Sequence, residues 1–203
     1  MARIKVPRKS TALDMTAMCD VAFLLLTFFI LTAKLRQDDP LHIDTPSASV
    51  PQVVPDDNIA TISVGKDKVF FGIEGTDIRK ALLEEMTKQY KMPAFTPEEE
   101  QRFTLIPTFG VPMSQLKQFI ALDETQRKEF PQPGIPVDST ATNELSTWIY
   151  QARLVTRNLK NQELRIAIKG DARDMYPEYK KVVDVLQRQG VNKFVLMTQL
   201  KSK

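Results

Sequence analysis

Apolar and polar positions divide the chain into one uninterrupted apolar stretch and a long remainder where apolar residues recur at strand or helix spacing. Leu13 to Ala33 reads LDMTAMCDVAFLLLTFFILTA. Val21 to Ala33 gives thirteen residues without a charge, and extension back to Met15 gives nineteen, with Asp20 the single charge. At about 1.5 Å per residue such a helix reaches roughly 29 Å, near the thickness of a hydrocarbon core. A signal peptide and a buried helix of a soluble protein compete with this reading. Lys34, Leu35, Arg36 and Gln37 follow the run where a cleavage site needs small residues, and an acid is an odd guest in a signal sequence. A run that is apolar all round and flanked by charge predicts a membrane span over 13–35.

Past the span the periodicity changes. Residues 59–73 alternate around Gly65-Lys66-Asp67, which predicts a hairpin of strands Ile59–Val64 and Lys68–Ile73. Thr76 is expected to cap a helix reaching about Lys91. Its inward face would be Ile78, Leu82, Met86 and Tyr90, with Ala81 and Leu83 beside them, packed on the hairpin. Residues 92–143 are the least regular, broken at Pro93, Pro97, Pro107, Pro131, Pro133 and Pro136. Short helices are predicted at Pro97–Phe103, Met113–Leu122 and Asp123–Phe130. Asn143 to Asn158 is helical again, with Leu145, Trp148, Ile149, Ala152 and Val155 on one side. Trp148 is read as packing ahead of a ligand platform.

The clearest unit is the last. Leu164–Lys169 predicts a strand, 170–174 a loop and Tyr176–Gln189 a helix with Tyr179, Val182, Val183 and Leu186 inward. Gly190 ends that helix as its C′ residue, and Lys193–Thr198 predicts a second strand. Strand, helix and strand at this spacing predict a right-handed parallel βαβ unit. The expected fold is α+β. It has a single N-terminal transmembrane helix, an extended linker, and a small domain whose mixed sheet takes strands from both ends of its sequence. The boundaries read 1–12 for a basic tail, 13–35 for the span, 36–58 for the linker and 59–203 for the domain.

Composition narrows the function classes. The chain has 203 residues, of which 42% are hydrophobic, and this fits one anchor on a globular domain better than a multi-span channel. Twenty-eight basic against 25 acidic residues leave +3, which makes no case for nucleic acid. Cys19 is the one cysteine and His42 the one histidine, which leaves no intrachain disulfide and no thiolate cluster. A histidine-rich metal site or a Ser-His triad would rest on His42 alone. Gly65-Lys66-Asp67 lacks the spacing of a phosphate loop. The pairs Asp38/Asp39 and Asp56/Asp57 sit in the linker and read as solvated. No metal, no cofactor and no enzymatic constellation are expected.

Arg3, Lys5, Arg8 and Lys9 precede the span without an acid, against Lys34 and Arg36 beyond it. The positive-inside rule then leaves the amino terminus in the cytoplasm and exports the bulk. Anionic-lipid binding is the other reading of this tail. Pro40, Pro46, Pro51 and Pro55 keep the linker extended. Within it Leu41, His42 and Ile43 form a short alternating patch, either a passive tether or a strand offered to a partner's sheet edge.

Asp20 is the candidate site. An acid at the centre of a span costs about 2.5–3.5 kcal/mol on insertion scales, so it usually faces protein or water. Snorkelling to the interface is the alternative. Thr27 lies seven residues on, about 20° away around the helix, and Thr16 four residues back, about 40° away. Thr16, Asp20 and Thr27 thus share one polar stripe suited to a protein-lined, partly hydrated path.

Asp14-Met-Thr-Ala-Met-Cys-Asp20-Val-Ala-Phe-Leu-Leu-Leu-Thr-Phe-Phe-Ile-Leu-Thr32 resembles the amino-terminal signature of the ExbD/TolR family, roughly N/D-h-T-P-h-h-D-h-h-h-x-L-L-h-F-F-h-h-T with h apolar. The resemblance makes Asp20 the proton-carrying aspartate and matches Thr16 to the family's threonine; Thr27 joins their supporting polar face by helical spacing alone. Ala17 departs from the family's usual proline. The Thr45-Pro46-Ser47-Ala48 segment and the later Asp171 and Tyr176 also resemble family patterns, the last two read first as loop-to-helix geometry. The resemblance covers 13–91 and 164–199, and 92–158 reads as an insertion.

The resemblance implies a proton-motive-force-driven motor subunit in the inner membrane, single-pass, with a periplasmic domain. Its implied partners are an ExbB/TolQ-like multi-span protein, a TonB/TolA-like protein and a second copy within the ring. Protons are its coupling ion. ExbD-like energising of transport across the outer membrane is the first reading. A TolR-like envelope role, a gliding or secretion motor, and an anchored module binding peptidoglycan or protein are the others.

Overall fold

The computed structural model describes residues 15–33, 47–48, 58–138, 143–170, 176–197 and 199–200. The chain divides into two compact units, Met1–Asp38 and Asp39–Lys203. Leu13, Asp14, Lys34 and Leu35, the Leu41-His42-Ile43 patch, and Asp171 lie outside the described residues.

In the first unit α1 runs over Met15–Thr32, without a buried residue. It is long and apolar enough to cross a membrane. A helix apolar all round has no face to fold against and must find its apolar surroundings elsewhere.

The second unit is α+β, in agreement with the sequence pattern. Its elements are β1 (Ser47–Ala48), β2 (Ile59–Gly65), β3 (Lys68–Ile73), α2 (Thr76–Gln89), α3 (Pro97–Thr104), β4 (Thr108–Phe109), α4 (Met113–Ala121), α5 (Glu124–Glu129), α6 (Glu144–Lys160), β5 (Arg165–Gly170), α7 (Tyr176–Arg188), β6 (Phe194–Met197) and β7 (Gln199–Leu200). Five strands form a mixed sheet in the order β4-β3-β2-β5-β6. β2 is antiparallel to β3 and parallel to β5, and β5 is parallel to β6. Strands from both ends of the domain sequence therefore share one sheet, and β5-α7-β6 is the expected parallel unit.

The hairpin closes through Lys66 and Asp67, both with left-handed φ (52° and 58°), between the paired Gly65 and Lys68. Two left-handed central residues give a type I′ turn, whose twist matches that of the strands. Ala60, Ile62 and Val64 of β2 pair across to Ile73, Phe71 and Val69, and with Ile166 and Ile168 of β5 they line one buried face. The core on this face also takes Ile78, Leu82, Leu83 and Met86 of α2, Leu145, Trp148, Ile149, Ala152 and Val155 of α6, and Val182, Val185 and Leu186 of α7.

Several local expectations change. Thr76 is not the cap of α2; Gly75 holds that position, with φ 99° and no side-chain bond. Tyr90 is not core. It follows the last turn of α2 and is 38% exposed. On α7 the fully buried positions include Val185, while Val183 and Tyr179 are partly buried. β4 and the parallel β1–β7 pair were not expected at all.

The irregular middle is part of the core, not an appendage. Phe103, Ile106, Phe109, Val111, Met113, Leu116, Phe119, Ile120 and Ile135 belong to the same apolar cluster as the sheet. α3 begins with a capping box, in which Thr96 Oγ1 accepts from Glu99 N–H (3.3 Å) and Glu99 Oε2 accepts from Thr96 N–H (2.8 Å), with Pro97 at the first helical position. Asp123 and Gln126 repeat the device at α5. Gly110 lies so close to the Phe70 ring that a Cβ there would meet it at 2.3 Å. At the end of α7 Gly190 has φ 70°, its N–H donates to Gln187 O, and Val191 N–H donates to Leu186 O. Those two bonds make a Schellman motif.

Candidate functional site

α1 is built from residues that leave its backbone self-satisfied and its surface uniform, so a single side chain can set its chemistry. Asp20 sits in the second turn, exposed like its neighbours. Thr16 and Thr27 share its side of the helix by spacing. Thr27 Oγ1 donates to Leu24 O at 2.9 Å and Thr32 Oγ1 to Phe28 O at 2.7 Å. The hydroxyl proton of Thr27 is thus spent within the helix, and its oxygen remains an acceptor. Such back-bonding hides a polar group from lipid. An ionised carboxylate has no such option, because it accepts only and has no proton to donate to a backbone carbonyl of its own helix. It must meet water, a cation or a hydrogen-bond donor, or take up a proton.

The linker is represented by β1, which runs parallel to β7 with Ser47 opposite Gln199 and Ala48 opposite Leu200. The last two residues of the Thr45-Pro46-Ser47-Ala48 segment are therefore in a strand within this same chain. Leu41, His42 and Ile43 are outside the described residues.

Two charged groups of the α+β unit are drawn inside it. Arg79 is 8% exposed, and its Nε donates to Ile73 O (2.8 Å) and its Nη1 to Thr104 O. It ties the end of β3 to the end of α3. Burial holds its pKa below the usual guanidinium value, partly opposed by Glu74. Glu144, the first residue of α6, accepts Met113 N–H at 2.6 Å. Burial pushes its carboxyl up, and the Met113 bond pulls the other way. Trp148 Nε1 also acts on this carboxylate without reaching full hydrogen-bond geometry, so the Met113 amide is its anchor. Neither Arg79 nor Glu144 stood out in the sequence; no local pattern marks a charge that tertiary packing encloses.

Among the described residues no group of three or more His, Cys, Asp or Glu is placed to hold a metal ion. The outer side of α6 carries Tyr150, Leu154 and Arg157 facing a groove, also missed by a reading that used only the inner side of that helix. Their i, i+4, i+7 spacing was the available signal.

The family model described as biopolymer transport protein ExbD/TolR matches residues 7–201. No curated protein and no solved structure gives a match.

Proposed function

The chain belongs to the ExbD/TolR family of biopolymer transport proteins, and from that premise we propose that it is a proton-motive-force-driven motor subunit. In this reading it resides in an inner membrane, amino terminus in the cytoplasm, with the α+β unit exported. It works with an ExbB-like multi-span protein and a second copy of itself, and energises a TonB-like protein for transport across the outer membrane. The observation that carries the proposal is Asp20, one carboxylate on an 18-residue helix with no buried residue and no other charge.

Protonating Asp20 removes its charge and lets that side of α1 face apolar neighbours. Releasing the proton restores the demand for water or a donor. A proton crossing the membrane delivers about 2.3 kcal/mol per 100 mV. That exceeds thermal energy several-fold and can bias which neighbour α1 prefers in a surrounding ring. Thr16 and Thr27 contribute lone pairs to waters on the same stripe.

The test is Asp20→Asn, close to isosteric but unable to carry a proton. Complementation of energised uptake is measured together with co-purification of the multi-span partner. Loss of uptake with the complex intact is the expected outcome. Retained uptake would make α1 an anchor and turn attention to the α+β unit as a binding module.

A further inference from the structure

Away from α1, exposed apolar and cationic side chains meet in a groove of about 470 Å³. It opens between the outer side of α6, the approach to β5 and the turn from α7 into β6. Tyr150 and Leu154 line it and are 51% and 39% exposed; Leu159, further along the same helix, is 51% exposed. Leu164 and Val191 supply more apolar lining. The wall is fixed: Arg153 Nη1 donates to Gln189 O at 3.1 Å, locking α6 to the Schellman turn of α7. Arg157 and Lys193 complete three cations, against one acid, Glu163.

Exposed apolar side chains interleaved with cations in one concavity form a lining that an extended chain segment can cover. The charge around it says what fits. Three cations to one acid favour a partner carrying carboxylates. Their interleaving with Tyr150, Leu154, Leu164 and Val191 favours carboxylates spaced by apolar side chains. Glu163 opposes a dense polyanion and leaves an acceptor for a backbone N–H. A concave site lined by apolar side chains and cations also matches a chain segment better than a flat lipid surface.

We propose that this groove docks a segment of a partner protein in which acidic and apolar side chains alternate. The proposal rests on the groove alone and is independent of the proton path through Asp20.

The test uses the full chain in nanodiscs of neutral lipid and fluorescence anisotropy of a fluorescein-labelled octapeptide alternating leucine and glutamate. Leucine–glutamine and leucine–lysine octapeptides serve as comparisons. The leucine–glutamate peptide should bind at least about tenfold more tightly than the leucine–lysine one, since like charges facing each other are disfavoured. The double substitution Arg157→Glu with Lys193→Glu should reverse that order, and Leu154→Ser should weaken binding of the leucine–glutamate and leucine–glutamine peptides alike. All three substitutions are at exposed positions, and an unchanged thermal midpoint confirms the fold. Equal binding of all three peptides, or an order that survives charge reversal, overturns the proposal. So does binding of phosphatidylglycerol vesicles, lost on charge reversal, without peptide binding, which assigns the groove to lipid. A change of oligomeric state on charge reversal without peptide binding overturns it too and assigns the groove to a second copy of the chain.

Discussion

α1 and α6 are nearly equal in length, 18 and 17 residues, and opposite in design. α6 declares its environment. Asn143 caps its start by accepting Ser146 N–H (2.6 Å), Asn161 ends it in the left-handed region, Arg157 and Lys160 fill its last turn, and one side of it is buried. α1 has no acid in its first turn, no base in its last turn and no buried residue. Each helix carries a carboxylate near its start, and these carboxylates mark the difference. Glu144 is supplied with a donor by the fold itself, Met113 N–H. Asp20 is exposed on a helix that buries nothing. The lesson is that α6 is finished within the chain, while α1 is finished by whatever surrounds it. Its function has to be sought in that surrounding.

Four substitutions bear on this contrast, from the largest effect down. Asp20→Asn should abolish energised function and leave the unfolding of the α+β unit unchanged; a shift in that unfolding would break the separation between the two helices. Trp148→Ala should do the reverse. Trp148 is fully buried against Phe109 (ring centroids 4.9 Å apart) and Phe71 (6.2 Å). Its loss should cost about 3–5 kcal/mol in denaturant unfolding, through lost burial and an incompletely filled cavity. Arg79→Met should cost about 2 kcal/mol by the same measurement. It leaves the carbonyls of Ile73 and Thr104 without their charged donor while keeping most of the apolar stem.

Glu144→Gln sharpens the contrast most finely, through its pH dependence. Burial raises the folded-state pKa of Glu144 above its unfolded value. The folded state therefore holds the proton more tightly, and the wild type loses stability as pH climbs from the ordinary glutamate range through the raised value. Glutamine keeps an oxygen for Met113 N–H and has no proton to lose. The difference in stability, variant minus wild type, should grow as pH rises across that window. A pH-independent difference would mean that Glu144 titrates like a solvated carboxyl.

Periodic segments were legible in the sequence. The hairpin, the three helices of the middle segment and the final βαβ unit fall within a residue or two of their expected positions, because apolar spacing and turn residues agree there. β4 was not legible. Two residues between Pro107 and Gly110 have no period; their strand exists because Phe71 and Gly72 offer an edge and Phe109 fills the core. Nor does sequence spacing distinguish Val183 from Val185, since α7 buries Val182, Val185 and Leu186 and half-buries Tyr179 and Val183, more than one stripe. Asp20 was legible for the reason α4 or α5 could not be assigned a role: a lone charge in an apolar run is rare, whereas charges on a surface helix are ordinary. The back-bonding of Thr27 to Leu24 was visible only in three dimensions.

The position of β2 has a consequence for the timing of folding. β2 sits at the centre of the sheet, yet one of its two neighbours, β5, lies beyond α2 through α6 in the chain. Closing a parallel pair across so long a segment is slow, because the chain entropy is lost before the contacts form. During synthesis the sheet cannot close until Arg165–Gly170 has emerged, about a hundred residues after β2. Until then the emerging polypeptide lacks its central pairing and stays pliable. On the topology proposed above, that delay keeps the chain threadable while it crosses the membrane, and the pairing of β5, followed by α7 and β6, completes the sheet on the far side.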